Sequence, residues 1–337
     1  MILSIESSCD DSAIAITQIE TKKLIFHRKL SQEKEHAHYG GVVPELASRL
    51  HTIALPEILH HAKDYLPSLK AIAVTNQPGL GVALLEGIAM AKTIAFLQKI
   101  PLIAVHHLKA HIYSLFIETK THFPLLVLLI SGGHTQILEV QDFDHMKILA
   151  TTMDDSVGES FDKCAKMMGL GYPGGPIIET LAKEGDAHRF SLPIPLINSP
   201  VVAFSLSGLK NAVRLQIEAL GGKENMSRQD RCDLAATFQH TLIAHLIHKS
   251  KKIFEHNKIV DFAIVGGAGA NIAIRDAFGQ LCNKYRKNLH TAPLAYCSDN
   301  AAMVGRYALD AYRLKRFTPL VDIAPLTTKK LTQGNLL

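Results

Sequence analysis

Two stretches of this chain repeat one plan, and that repetition restricts the fold more than any other feature. Ile2 to Ile5 reads as a short buried strand, followed by a polar turn, Glu6 to Ser12, and a returning strand, Ala13 to Thr17. Leu125 to Ile130 reads the same way, with Ser131-Gly132-Gly133-His134 as its turn and Thr135 to Val140 as its return. Each unit opens one half of the chain. Each turn is either that of an ordinary hairpin or a place where backbone N–H groups meet an anion.

After both units, strands and helices alternate, which predicts an α/β architecture. Helical periodicity covers Val42 to Tyr65 and Val82 to Leu97, with buried strands at Ala71 to Thr75 and Leu102 to Val105. In the second half, Gln229 to His256 places Leu234, Phe238, Leu242 and Leu246 on one helical stripe. Strand Phe262 to Val265 then runs into Gly266-Gly267-Ala268-Gly269-Ala270-Asn271, and a helix follows to about Leu281. That glycine turn serves either tight strand–helix packing or the close approach of a ligand to the backbone.

Several function classes are excluded by motif. Gly79-Leu80-Gly81 is half of a dinucleotide fingerprint, but Leu84 stands where the third glycine belongs. Neither a P-loop nor a G-x-S-x-G elbow is present, and Ser205 and Ser207 read as the opening of a helix. The length of 337 residues suits two domains, and a net charge of +5 permits an anionic partner without requiring one. Five cysteines without C-x-x-C spacing suggest neither a disulfide framework nor a cysteine zinc site. No apolar run nears the ~20 residues that span a bilayer, so the expected location is the cytoplasm.

The chain has 18 histidines, and the chemistry depends on which of them converge. His107 and His111 lie four apart at the start of an expected helix, so their rings share one face. They either hold a metal or face solvent, as expected of His60, His61, His240, His245 and His248. A metalloprotease would need glutamate after the first histidine, where Leu108 stands. A third ligand would be a carboxylate from elsewhere. Asp299, in Cys297-Ser298-Asp299-Asn300 before the helical run Ala301 to Arg313, is a candidate ligand or a helix cap. Asp10 and Asp11 bind a cation, activate a nucleophile or cap their turn. Asp162 either faces a cleft or pairs with a helical neighbour. Lys249, Lys251, Lys252, Lys284, Arg286, Lys287, Lys329 and Lys330 contact phosphates or form a solvated basic surface.

Read together, these segments resemble the TsaD (Gcp) family. The resemblance is carried by Ile5-Glu6-Ser7-Ser8-Cys9-Asp10, by His38 to Arg49, and by His106-His107-Leu108-Lys109-Ala110-His111. It continues through Leu129 to Thr135, Gly158 to Lys163, Tyr172 to Pro176, Phe204 to Lys210, Gly266 to Asn271 and Ser298 to Gly305. Two positions depart from the family pattern: Asp11 where glutamate is common, and Gln77 where glycine is usual.

The resemblance implies the actin-like, sugar-kinase and Hsp70 (ASKHA) fold, with two ribonuclease-H-like domains around a central nucleotide cleft. The expected domains are residues 1–123 with a returning 301–337, and 124–300. It implies one divalent ion, iron or zinc, on His107, His111 and Asp299. An adenine nucleotide, threonylcarbamoyl-AMP or an ATP-like ligand, would contact Leu129, Ile130, Ser131, Gly132, Gly133, Asp162, Gly175 and Asn271. The implied catalytic residues are His107, His111 and Asp11. The implied activity transfers a threonylcarbamoyl group to N6 of the adenosine 3′ to the anticodon, in tRNAs reading codons that begin with A. The implied partners are tRNA, the paralogue TsaB and the ATPase TsaE, with TsaC supplying the adenylate and no membrane involved. The competing readings are a zinc-dependent peptidase and a non-catalytic ATP-binding scaffold.

Overall fold

The structure is a computed structural model that describes residues 1–327. Lys329 and Lys330, and the end of the expected returning segment, lie outside the described residues. The chain forms two compact units. The first holds residues 1–122 and the described residues from Ala292 onward, and the second holds Phe123–Thr291. The return thus begins at Ala292, ahead of the expected residue 301. Lys29 Nζ donates to Ser298 Oγ at 3.0 Å, which ties the segment before the last helix to the first unit's sheet.

In the first unit, β1 (Ile2–Glu6), β2 (Asp11–Thr17) and β3 (Leu24–Ser31) form an antiparallel meander. The short α1 (Glu33–Ala37) and α2 (Pro44–His61) lead to β4 (Ala71–Gln77), α3 (Gly81–Gln98) and β5 (Leu102–His106). Parallel pairing of β4 with β1 and of β5 with β4 gives the sheet order β3-β2-β1-β4-β5. α4 (His107–Tyr113) follows β5 directly.

The second unit repeats this order with β6 (Leu125–Ile130), β7 (Thr135–Val140) and β8 (Met146–Thr151) as the meander. Helices α5 (Val157–Met167), α6 (Gly174–Ala182), α7 (Ser207–Ala219) and α8 (Arg228–His256) come next. Then β9 (Asp261–Val265), α9 (Ile272–Tyr285) and β10 (Asn288–Thr291) complete a sheet of order β10-β9-β6-β7-β8. The last helix, α10 (Ala301–Arg313), belongs to the first unit and packs on β1 and β2.

Every residue of β1, β2 and β6 is buried, which is why these strands read as apolar runs rather than as alternation. α3 has the length and apolar composition to cross a membrane, contrary to the expectation that no run approaches it. In this fold Ala83, Leu84, Gly87, Ile88, Ala91, Ile94 and Ala95 of α3 are buried, and the helix packs on β4. Gln77, the first departure to be placed, ends β4 where the β4–β5 register shifts, and it is not among the residues with positive φ. Its backbone is one that any residue adopts, so glycine is not required there.

Candidate functional site

β5 ends at His106 and α4 begins at His107, so α4 carries both imidazoles within the first unit, His107 at its first residue and His111 one turn further on. His111 is fully buried and His107 nearly so, with ring centroids 4.6 Å apart. Asp299 arrives from the turn before α10. Asn300, not Asp299, caps that helix, because its side chain accepts the Met303 N–H at 2.9 Å. The Asp299 side chain is left to face the rings. Its Oδ1 lies 3.1 Å from His111 Nε2 and 3.4 Å from His107 Nε2.

One ligand atom from each of these three residues falls within 4.8 Å of the others, a spacing suited to one metal ion. Two imidazoles and a carboxylate suit iron or zinc better than magnesium or calcium, which prefer all-oxygen shells. Burial works to raise the Asp299 carboxyl, but the two histidines hold it well below the usual carboxylate range. Burial works to lower His107, but Asp299 and Glu6 raise it well above an ordinary imidazole. The site therefore attracts positive charge, whether proton or cation.

Around these three residues stand others to which the sequence motifs gave no role of their own. Glu6 ends β1 fully buried, with Oε2 3.2 Å from His107 Nδ1. Burial works to raise its carboxyl, and His107 brings it below its ordinary value. Ser8 Oγ lies 3.2 Å from the same nitrogen. The turn that follows is pinned from three elements. Leu80 N–H donates to the Ser8 carbonyl, His51 Nε2 lies 3.0 Å from the Cys9 carbonyl, and Gln32 N–H donates to the Asp10 carbonyl. The Ser8 N–H is itself taken by Glu6 Oε1 at 2.7 Å, so that donor is not available to an anion. A carboxylate closing an otherwise apolar strand is the signal that could have found Glu6.

Asp11 opens β2, with Oδ2 accepting from Lys29 Nζ at 2.8 Å and Oδ1 buried. Burial, opposed by Lys29, pushes its carboxyl up to about 7.

In the second unit, the turn between β6 and β7 carries Gly132 and Gly133 exposed at its tip, and the flanking Leu129, Ile130 and Ser131 are buried. Ser156, the cap of α5, donates its hydroxyl to the Gly132 carbonyl, and Gly158 N–H donates to the Ser131 carbonyl at 3.2 Å. The N-terminus of α5 therefore abuts this turn. Asp162 Oδ1 accepts the Gly174 N–H at 2.7 Å, which fixes the start of α6 beside Gly175. Asn271 caps α9 by accepting the Ile274 N–H at 2.9 Å and donates to Gln239 Oε1 at 2.9 Å. The preceding glycine turn holds Gly266 at φ 94, where a Cβ would stand 2.3 Å from the Ile130 carbonyl oxygen. Only glycine meets both demands.

Two expectations are corrected. His60, His61 and His240 are exposed, but His245 is fully buried, because it extends the apolar stripe of α8. Lys249 and Lys287 are also buried rather than solvated, and their ammonium groups donate to backbone carbonyls.

A relative from Sulfurovum sp. (strain NBC37-1), named tRNA N6-adenosine threonylcarbamoyltransferase, is 68% identical over the full length of both chains. Relatives of the same name from a Nitratiruptor species and from Helicobacter pylori (strain J99) are 62% and 54% identical. They cover 95% and 98% of this chain and 96% and 99% of their own. Among solved structures, component A of the Acidaminococcus fermentans (R)-2-hydroxyglutaryl-CoA dehydratase superposes with TM-score 0.55 at 12% identity, covering 94% of this chain and 98% of its own. Full-length HypF superposes with TM-score 0.60 at 13% identity, over 93% of this chain and 46% of HypF. These two show the fold alone, as ASKHA-type proteins with paired α/β units. The family model for TsaD, tRNA N6-adenosine threonylcarbamoyltransferase, matches residues 23–306, and the chain belongs to that family.

Proposed function

We propose that this chain transfers a threonylcarbamoyl group from threonylcarbamoyl-AMP to N6 of the adenosine 3′ to the anticodon, in tRNAs reading codons that begin with A. The single observation that carries the reading is the meeting of the buried His107 and His111 with the half-buried Asp299 in a chain of this family. Those three residues are the proposed ligands of one iron or zinc ion. Family membership favours the transferase over a peptidase or a scaffold. Leu108, buried where a peptidase motif needs glutamate, favours it independently.

An adenine amine is a weak nucleophile because its lone pair is delocalised into the ring, so the acyl group must arrive activated and aligned. The N6–carbon bond forms as the carbon–oxygen bond to the phosphate of AMP breaks. That electron pair leaves with AMP, and N6 gives up a proton. A bound divalent ion would supply Lewis acidity to an oxygen of the donor. Asp11 is the proposed acceptor of the proton, since a carboxyl near 7 takes up a proton at neutral pH. In the second unit, the backbone of Leu129 to Gly133 is proposed to bind the adenine nucleotide beside the N-terminus of α5. Asp162, Gly175 and Asn271 are proposed to shape the same nucleotide site, the two side chains acting through the helix starts that they hold. TsaB, TsaE and TsaC remain the proposed partners, and the cytoplasm the proposed location.

The test is formation of modified adenosine in tRNA incubated with threonine, bicarbonate, ATP, this chain and the partner proteins. Modification that depends on this chain supports the reading, and metal-dependent peptide cleavage with unmodified tRNA overturns it. Asp11→Asn is expected to slow transfer at least tenfold while the metal stays bound. Unchanged transfer would remove Asp11 from the mechanism.

A further inference from the structure

We propose that Glu6 is the positioning residue of this centre, fixing the His107 ring so that Nδ1 carries the proton and Nε2 is presented as the ligand atom. The inference deepens the metal-centre reading above and rests on it. Glu6 is fully buried, and two donors and one ring nitrogen, from three parts of the first unit, surround its two oxygens. Ser8 N–H donates to Oε1 at 2.7 Å, Thr75 Oγ1 donates to Oε2 at 2.5 Å, and His107 Nδ1 stands 3.2 Å from Oε2. A carboxylate held by the β1–β2 turn and by β4 cannot swing aside, so Oε2 is a fixed acceptor. A fixed acceptor beside one ring nitrogen places the proton there and leaves the lone pair on the other.

That lone pair is on Nε2, 3.4 Å from Asp299 Oδ1. When the ring is neutral, as a metal ligand must be, and its proton is on Nδ1, this lone pair faces a carboxylate oxygen, an unfavourable contact that a metal ion between them would reverse. The Ser8 hydroxyl, 3.2 Å from Nδ1, does not decide the tautomer, because a hydroxyl rotates to donate or accept. His111 has no equivalent of Glu6, since its Nδ1 lacks a hydrogen-bond partner among the described residues. The two imidazoles are therefore unequal. His107 is locked in tautomer and orientation by a carboxylate, whereas His111 is held by packing and would be held further by a bound ion.

Glu6→Gln keeps the shape but not the function. An amide offers one acceptor oxygen, and its NH2 group must then face either the Ser8 N–H or the His107 Nδ1–H. Second-sphere partners of this kind are worth about 10–100-fold in metal affinity.

The experiment uses the full-length protein and zinc as the probe. Nitrogen-15 histidine spectra of the zinc-loaded wild type are expected to show His107 with its proton on Nδ1 and zinc on Nε2. Zinc competition against a chromophoric chelator is expected to show at least tenfold weaker binding for Glu6→Gln and binding within twofold of wild type for Ser8→Ala. Zinc on Nδ1 of His107 in the wild type, or Glu6→Gln within twofold of wild type, overturns the proposal. If Glu6→Gln does not fold, the wild-type spectrum decides alone. Loss of zinc in His111→Ala with no change in Glu6→Gln overturns the role of Glu6 and leaves the metal reading standing. A wild type that binds no zinc overturns both.

Discussion

Asp299 Oδ1 lies 3.1 Å from His111 Nε2, and the contact exists because the neighbouring Asn300 has taken over the capping of α10. The division of labour between adjacent residues frees one carboxylate for the ring pair. Asp299→Ala should therefore remove a proposed ligand without removing the cap. The expected result is metal content below a tenth of wild type and transfer at least a hundredfold slower, with the far-ultraviolet circular dichroism unchanged. His107→Ala should behave alike. Elemental analysis of the purified variants checks this, and full metal content in either variant would refute the assignment. Asn300→Ala is the contrasting case, with an expected loss of about 1 kcal/mol of stability and retention of the metal.

Gly305 tests how closely α10 sits on its sheet. A Cβ at this position would stand 2.6 Å from Thr17 Oγ1 and 2.9 Å from Ser4 Oγ, both on fully or nearly fully buried residues. Replacing a helical glycine by alanine ordinarily stabilises by about 1 kcal/mol. Overpacking here costs about 1–3 kcal/mol, so the clash should win and Gly305→Ala should lower the melting temperature. Gly279 in α9 has only an ordinary contact at 3.8 Å, to Leu289 Cδ2, and Gly279→Ala should raise it. Opposite signs from one substitution type are the expected outcome of thermal denaturation. A stabilising Gly305→Ala would mean that α10 can move off β1.

The two halves of the fold were legible because their central strands are continuous apolar runs bounded by polar turns. The β6 and β7 spans match the expected residues, and α10 does as well. β3 escaped because its residues are half-buried and polar residues interrupt it, so neither an apolar run nor clean alternation marks it. The ring pair was legible from its spacing, but the choice between ligand and cap at Asp299 was not. Adjacent Asp and Asn are equally good caps, and only tertiary packing decides between them. His245 and Lys249 were misread for a related reason. Residues 238, 242, 245 and 249 continue one helical face, and that face stays buried after its residues cease to be apolar.

His245 should make the second unit sensitive to mild acid. Its Nε2 accepts the Ser205 N–H at 3.2 Å and its ring packs edge-on against Phe204. Burial pushes its pKa down to about 4, against about 6.5 when unfolded. Above pH 6.5 both states are neutral and His245 contributes no pH dependence. Between pH 6.5 and 4 the unfolded chain takes up a proton that the native ring refuses, so stability falls as pH falls, and below about 4 the loss is complete. His245→Gln removes that titration. In urea unfolding at pH 7.5 and pH 5.0, wild type should lose more stability between the two than the variant does. An equal loss in both would show that the ring is protonated in place.

Lys249 holds the long irregular segment between α6 and α7. Its fully buried ammonium donates to the carbonyls of Leu196, Ser199 and Val201 at 2.8, 3.1 and 2.9 Å. Leu196 sits at φ 50, a left-handed conformation that costs a non-glycine residue about 1 kcal/mol and persists only where its surroundings enforce it. Lys249→Met keeps the aliphatic stem and removes the ammonium, leaving three carbonyls to find water or move. A charge-assisted hydrogen bond is worth about 1.5–3 kcal/mol, and three that share one donor do not add, so a loss of about 2–4 kcal/mol is expected. Removing a buried charge opposes that loss, but carbonyls left without a donor outweigh it because they cannot relax while Leu196 keeps its turn. Lys252, which is less buried and among the described residues donates only to Ser199, at 3.0 Å, should cost under about 1 kcal/mol when changed to Met. Limited proteolysis of Lys249→Met should cut first between residues 192 and 202. Cleavage at the wild-type rate, with an unchanged urea midpoint, would show that the segment holds itself without this lysine.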